Sequence, residues 1–77
     1  MNKNQFAQRN GFTSYIEMLT SSEVVFKDAS TWLVTRTEDG FLAWVDKALD
    51  KPLGYFDTFD LARQEIIDTI TLAPLYK

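Results

Sequence analysis

The spacing of apolar residues changes near the middle of the chain, and this change does most to restrict the possible folds. Up to about residue 22, apolar residues recur three and four positions apart, as they do on one side of an α-helix. From Thr31 to Val45 the residues are β-branched and aromatic, as in strands, and the run is interrupted by the turn-forming sequence Glu38-Asp39-Gly40. The middle of the chain is therefore predicted to be a β-hairpin preceded by helical sequence.

The helical sequence covers residues 1–23 and divides into two pieces. Asn10-Gly11 suits the left-handed position at the end of a first helix. Ser14 and Glu17 have the spacing of a capping box, in which each side chain bonds the backbone N–H of the other residue. We expect two short helices or one kinked helix.

The hairpin admits two registers. A two-residue Asp39-Gly40 turn pairs Glu38 with Phe41 and puts the two tryptophans on opposite faces, whereas a type I turn closed by a bulge at Gly40 pairs Thr37 with Phe41. The second register places Trp32, Val34, Leu42 and Trp44 on one face. It is preferred, because the first requires an unfavourable positive φ at a non-glycine residue.

The last third of the chain predicts a third strand and a helix. Pro52 to Phe56 forms the strand, and Asp57-Thr58 caps a helix over 58–71, followed by a tail over 72–77. Leu61 falls among the acidic residues of this helix. The predicted fold is a single small α+β domain over residues 1–77, with short N-terminal helices, a three-stranded antiparallel β-meander over 31–56 and a C-terminal helix. The N- and C-terminal helices could cover one face of the sheet or both.

Composition argues against catalysis. The 77 residues include no cysteine and no histidine, so the usual nucleophile–base pairs and zinc ligands are missing. The acidic pairs Glu38-Asp39, Asp57 with Asp60, and Glu65 with Asp68 each have a structural explanation in a turn, a cap or a solvated helix face. No calcium-loop or phosphate-loop spacing is present. We expect a protein that is not an enzyme, with no catalytic residues, no cofactor and no metal.

Charge is distributed unevenly along the chain. Residues 1–37 carry a net charge of +1, whereas residues 38–68 carry eight acidic and three basic residues, a net of −5. An acidic stretch that includes one side of the C-terminal helix would repel phosphates and attract basic surfaces. The ordinary alternative is a surface that only keeps the protein in solution.

Two aromatic strands around a glycine turn are followed by residues 53–63, LGYFDTFDLAR. In these features the segment from Trp32 to Ile70 resembles AP2-like domains, including the arm-binding domains of phage integrases. The resemblance implies a three-stranded sheet laid in a DNA groove with the helix behind it. The basic face of those domains is missing, because strand positions offer only Arg36, with Lys47 and Lys51 at the strand ends.

These features predict a macromolecular-interaction protein, of the kind used as a regulator or inhibitor in bacteria or phage-like elements. The expected partner is a protein, such as one with a basic nucleic-acid-binding surface. The alternative is a nucleic-acid-binding module that uses the sheet through Arg36, Lys47 and Trp44. A homodimer is compatible with either, no membrane contact is expected, and the sequence suggests a cytoplasmic location. The candidate partner-binding residues are Glu38, Asp39, Leu42, Trp44, Asp57, Asp60, Leu61, Glu65 and Asp68.

Overall fold

A computed structural model describes residues 1–72 as an α+β fold in which one antiparallel sheet lies between helices. The four strands lie in the order β1-β2-β3-β4, so each strand pairs with its neighbours along the chain. The elements are α1 (Lys3–Arg9), α2 (Tyr15–Thr20), β1 (Ser22–Lys27), β2 (Thr31–Thr37), β3 (Gly40–Val45), β4 (Gly54–Phe56) and α3 (Phe59–Leu72). The predicted tail over residues 72–77 is wrong at its first residue, because Leu72 still belongs to α3, and the remaining residues, 73–77, lie outside the described residues.

The two N-terminal helices begin and end at capping residues. Asn2 and Gln5 form a complete capping box, with hydrogen bonds of 2.8 and 3.0 Å between each side chain and the other residue's backbone N–H. Gly11 follows α1 with φ of +91°, as the sequence predicts. Ser14 accepts a hydrogen bond from the backbone N–H of Glu17 at 3.2 Å. The carboxylate of Glu17 accepts a hydrogen bond from the hydroxyl of Thr13 instead of reaching back to Ser14, so only half of the capping box predicted at Ser14 and Glu17 forms.

The sheet has four strands where three were predicted. The missed strand, β1, begins at Ser22, inside the segment predicted to be helical, and pairs antiparallel with β2. A bulge at Val25 interrupts this pairing. Val24-Val25-Phe26 between the polar sequences Ser21-Ser22 and Asp28-Ala29-Ser30 is a strand signal, but it is short and follows a helix directly.

The preferred hairpin register is wrong, and so is the pairing of the alternative. Thr37 pairs with Gly40 and Arg36 with Phe41, so the loop is Glu38-Asp39. Within residues 1–72 only glycines have positive φ, and Gly40 takes φ of +122°. The turn therefore places no strain on Glu38 or Asp39. The positive φ at a non-glycine residue that counts against a short turn does not occur.

This register puts the tryptophans on opposite faces of the sheet, and each face is covered by helix. Trp44 lies on the face covered by α1 and α2 and is buried there with Phe6 and Met18. Trp32 lies on the face covered by α3, where it packs beside the buried residues Val34, Ala43, Ala62 and Ile66. A shift by one residue would exchange the two faces, so the two separate cores select the register.

Candidate functional site

Two of the predicted partner-binding residues cannot contact a partner. Leu42 and Trp44 are both completely buried, because α1 and α2 cover the face that the sequence left open. The ring of Trp44 lies 5.0 Å from that of Phe6 and 6.0 Å from that of Tyr15, measured between centroids. Trp44 is a core residue, and its proposed contact with nucleic acid is wrong for the same reason.

The polar atom of Trp44 is also fully engaged. Its indole N–H donates to the Thr35 hydroxyl at 2.8 Å, and the Thr35 and Ser22 hydroxyls bond each other. The Ser22 hydroxyl donates to the backbone carbonyl of Met18 at 2.6 Å. Each hydroxyl can therefore accept one hydrogen bond and donate one, in a chain that links β3, β2, β1 and the end of α2. The role of this group is structural.

The other seven predicted residues are exposed, and the fold brings four of them to one end of the sheet. Glu38 and Asp39 form the β2–β3 turn. The next residue, Gly40, lies so close to β4 that a β-carbon on it would be 2.7 Å from the carbonyl oxygen of Phe56. Asp57 follows Phe56 directly, and Asp60 lies in the first turn of α3. Two pairs of acidic residues, separated by at least 18 positions in the sequence, thus share one end of the sheet, which we call the acidic end.

The outer side of α3 extends this acidic region along the molecule. Ala62 and Ile66 are buried against the sheet, so the opposite side of the helix faces solvent. Leu61, Glu65 and Asp68 recur there at intervals of four and three residues. We define the acidic surface as Glu38, Asp39, Asp57, Asp60, Leu61, Glu65 and Asp68.

The predicted site omits one apolar residue on this outer side of α3. Leu72 lies four positions beyond Asp68 and is 43% exposed, while Leu61 is 54% exposed. The carboxylates of Glu65 and Asp68 therefore lie between the two leucines along this side of the helix. Extending the helical periodicity to residue 72 would have identified the pair.

The lysines that partly offset these acids in the sequence lie elsewhere in the structure. Lys47 and Lys51 are in the connection that follows β3, at the end of the sheet opposite the β2–β3 turn. Asp46 and Asp50 are in the same connection, and Asp46 accepts a hydrogen bond from the backbone N–H of Thr31 at 3.0 Å. The charges of this connection cancel, so the excess of negative charge belongs to the acidic surface.

The negative field at the acidic end acts on Tyr55. Burial raises the pKa of its hydroxyl, the negative charge of Asp39 raises it further, and Arg9 opposes both effects. Two cations border this end. Arg9 lies near Tyr55, and the guanidinium of Arg36 lies 5.9 Å from the centroid of the Phe41 ring.

Within residues 1–72, no three acidic side chains lie close enough to one another to hold a metal ion. None of the three helices in this part of the chain has the length and apolar character needed to cross a membrane.

Comparison with protein-family models, curated proteins and solved structures gave no match.

Proposed function

We propose that this chain is a non-enzymatic interaction protein that binds a basic protein surface through its acidic surface, and so acts as a regulator or inhibitor of that partner. The observation that carries the proposal is the convergence of six carboxylates from three segments on one end of the sheet and one side of α3. Clustered like charge lowers stability unless something offsets it, and a basic partner would do so.

The form of the surface supports a protein partner. Leu61 and Leu72 provide apolar contacts at the two ends of the outer side of α3, with charged groups between them. Apolar contact holds a complex after charge attraction has guided the encounter, because exposed ion pairs contribute only about 0–1 kcal/mol each. A protein whose basic surface binds nucleic-acid phosphates has the matching chemistry.

Two features favour a protein partner over nucleic acid. The acidic surface would repel phosphates, which dominate the affinity of proteins for DNA and RNA. In addition, α1 and α2 cover one face of the sheet and α3 covers the other. The sheet is therefore not available in the way that the resemblance to AP2-like domains implies.

The test compares proteins captured at low salt from a bacterial extract by three immobilised chains. The first is the wild type. The second, the surface variant, carries Asp60→Asn, Glu65→Gln and Asp68→Asn. The third is a control that loses the same charge elsewhere, through Glu23→Gln, Asp28→Asn and Asp50→Asn.

We expect the wild type and the control to capture the same basic protein, and the surface variant to lose at least tenfold of it. Capture by the wild type should also fall as ionic strength rises. Equal capture by the surface variant would overturn the proposal, as would capture of acidic proteins only. A gel shift with random duplex at micromolar protein would instead support the nucleic-acid alternative.

A further inference from the structure

The side chain of Asn10 joins the end of α1 to β4. Its Nδ2 donates to the backbone carbonyl of Phe6 at 2.9 Å, and its Oδ1 accepts a hydrogen bond from the hydroxyl of Tyr55 at 2.5 Å. The first bond occupies one of the carbonyls that the end of a helix leaves free, and the second reaches a residue 45 positions away in sequence. Both polar atoms of the Asn10 amide therefore hold α1 in place.

Asn10 also begins the most labile dipeptide of the chain. The sequence has three asparagines, Asn2, Asn4 and Asn10, and only Asn10 is followed by glycine. In deamidation, the backbone nitrogen of the following residue attacks the side-chain Cγ and closes a five-membered imide, while the amide nitrogen leaves as ammonia with the proton of the attacking N–H. Water then adds to an imide carbonyl and breaks one C–N bond, which leaves aspartate or isoaspartate. Glycine favours the attack because it has no β-carbon to hinder the nitrogen or restrict the backbone.

The folded conformation opposes this attack. Ring closure requires the Gly11 nitrogen to lie on the same side of the Asn10 Cα–C bond as Cβ. With ψ of 15° at Asn10, that nitrogen lies instead on the side of the backbone nitrogen of Asn10. The Gly11 N–H is also engaged, because it donates to the carbonyl of Gln8 at 3.1 Å. The reaction therefore requires the end of α1, a helix of only seven residues, to open first.

The product of the reaction cannot restore the contact. A carboxylate at position 10 has no N–H to donate to the carbonyl of Phe6, and it places negative charge at the end of a helix where carbonyls already point outward. Arg9, which lies near Tyr55, offsets the charge but does not replace the lost donor.

We propose that Asn10 is a deamidation site that the folded chain holds unreactive, and that its reaction after local opening permanently loosens α1 from β4. The change runs in one direction, because no step returns the amide. It does not rest on the proposed function, since Asn10 lies outside the acidic surface.

The first test compares the wild type in native buffer and in guanidinium chloride at the same mildly alkaline pH. Digestion after Lys and Arg separates Asn4, in residues 4–9, from Asn10, in residues 10–27, and mass spectrometry locates the mass increase. In guanidinium chloride we expect Asn10 to react about tenfold faster than Asn4, because a glycine follows it. In native buffer Asn10 should react about tenfold more slowly than in guanidinium chloride, or slower still. Equal rates in either comparison would overturn the proposal.

Tyr55→Phe tests whether the contact with β4 controls the reaction. Tyr55 is 45% exposed, so the variant loses a hydroxyl and little packing. Its Asn10 should react about three- to tenfold faster than that of the wild type in native buffer, because one hydrogen bond no longer opposes opening. Tyr15→Phe is the matched control, because it makes the same change on the ring that packs against Trp44, and it should leave the rate unchanged. An unchanged rate in Tyr55→Phe, or an equal rise in both variants, would overturn control by this contact.

Asn10→Asp and Asn4→Asp test the effect of the product. Asn4 uses only its Oδ1, which accepts a hydrogen bond from the backbone N–H of Tyr15 at 3.0 Å, so aspartate keeps that bond. We expect Asn10→Asp to lower the guanidinium midpoint, followed by circular dichroism, and Asn4→Asp to leave it unchanged. An Asn10→Asp chain with the wild-type midpoint would show that deamidation does not loosen α1.

Discussion

The two faces of the sheet are packed by different means. On the face under α1 and α2, two short helices contribute Phe6, Ala7 and Met18, and a large side chain, Trp44, fills the space beneath them. On the other face, α3 packs through Ala62 against Ala43, with Ile66 beside them. The first face depends on an aromatic side chain held by hydrogen bonds, and the second depends on small residues that let a long helix approach closely.

The difference shows how a chain of this size can fold without disulfides. α1 and α2 have seven and six residues and would be marginal in isolation, so their stability must come from tertiary contacts. The polar chain from Trp44 through Thr35 and Ser22 ends at the carbonyl of Met18 and connects α2 to the three strands beneath it. α3, with 14 residues, is held on the other face by apolar packing, with Ala62 and Ile66 buried there.

Removing the large side chain should have the greatest effect. Trp44→Ala leaves a cavity under α1 and α2 and should lower the free energy of unfolding by about 3–5 kcal/mol. Chemical denaturation measures this change. Trp32→Ala is the matched control on the α3 face, where the ring is only half-buried, and it should cost less. A greater loss for Trp32→Ala would contradict the assignment of the faces.

Enlarging a small residue should disturb the opposite face. Ala62 is completely buried at the contact of α3 with the sheet, so Ala62→Leu should lower the free energy of unfolding by about 1–3 kcal/mol through overpacking. Arg63→Leu adds the same side chain at an exposed neighbouring position and should change stability by less than about 0.5 kcal/mol. If the two variants denature at the same midpoint, the close approach of α3 is wrong.

Breaking the polar chain should have a comparable or slightly smaller effect on the α1/α2 face. Thr35→Val keeps the shape of the side chain but leaves the indole N–H of Trp44 without its acceptor, at a cost of about 1–3 kcal/mol. Thr31→Val, on the same strand, is the control and should be nearly neutral. Native-state hydrogen exchange should show the loss of protection in α2 before α3. Uniform loss across the two helices would argue against a local role.

The smallest effect should appear in alkali. Tyr15 and Tyr55 are the tyrosines of residues 1–72, and Tyr15 packs on the α1/α2 face while Tyr55 bonds Asn10 after α1. Burial raises the pKa of both hydroxyls above 10.0, with Asp46 raising that of Tyr15 further and Asp39 that of Tyr55. The folded state therefore holds these protons more tightly than the unfolded state does.

The contribution of these tyrosines is fully present below pH 10 and should be lost as the pH rises through the raised pKa values. Denaturation midpoints of the wild type, Tyr15→Phe and Tyr55→Phe between about pH 8 and 11 measure this loss. Each phenylalanine variant should lose less stability over this range than the wild type. An identical slope in all three proteins would remove the tyrosines as the cause.

Local sequence signals predicted much of the secondary structure. Gly11 ends α1, the hairpin forms, and Phe59, Ala62, Ile66 and Ile70 lie on the sheet-facing side of α3. These features depend on φ preferences and on periodicity within one segment. β1 was missed, because three apolar residues directly after a helix carry too weak a periodic signal to define a strand without its partner β2.

The candidate site was predicted less evenly. The exposed acids of the turn and of α3 follow from local roles, because turn, cap and solvent-facing positions are set within a few residues. Leu42 and Trp44 were predicted to contact a partner on the condition that one sheet face stays uncovered. The sequence around them cannot decide this condition, because the exposure of a sheet face depends on what packs on it. That information lies in Phe6 and Met18, far away in sequence.

By itself the sequence determined the uneven distribution of charge, the lack of cysteine and histidine, and most of the helices and turns, since all of these are local properties. Only the tertiary structure decided the hairpin register, the burial of both sheet faces and the separation of Lys47 and Lys51 from the acidic surface. The physical reason is that strand pairing has a period of two, so either face can be the inner one until helices from distant segments cover both.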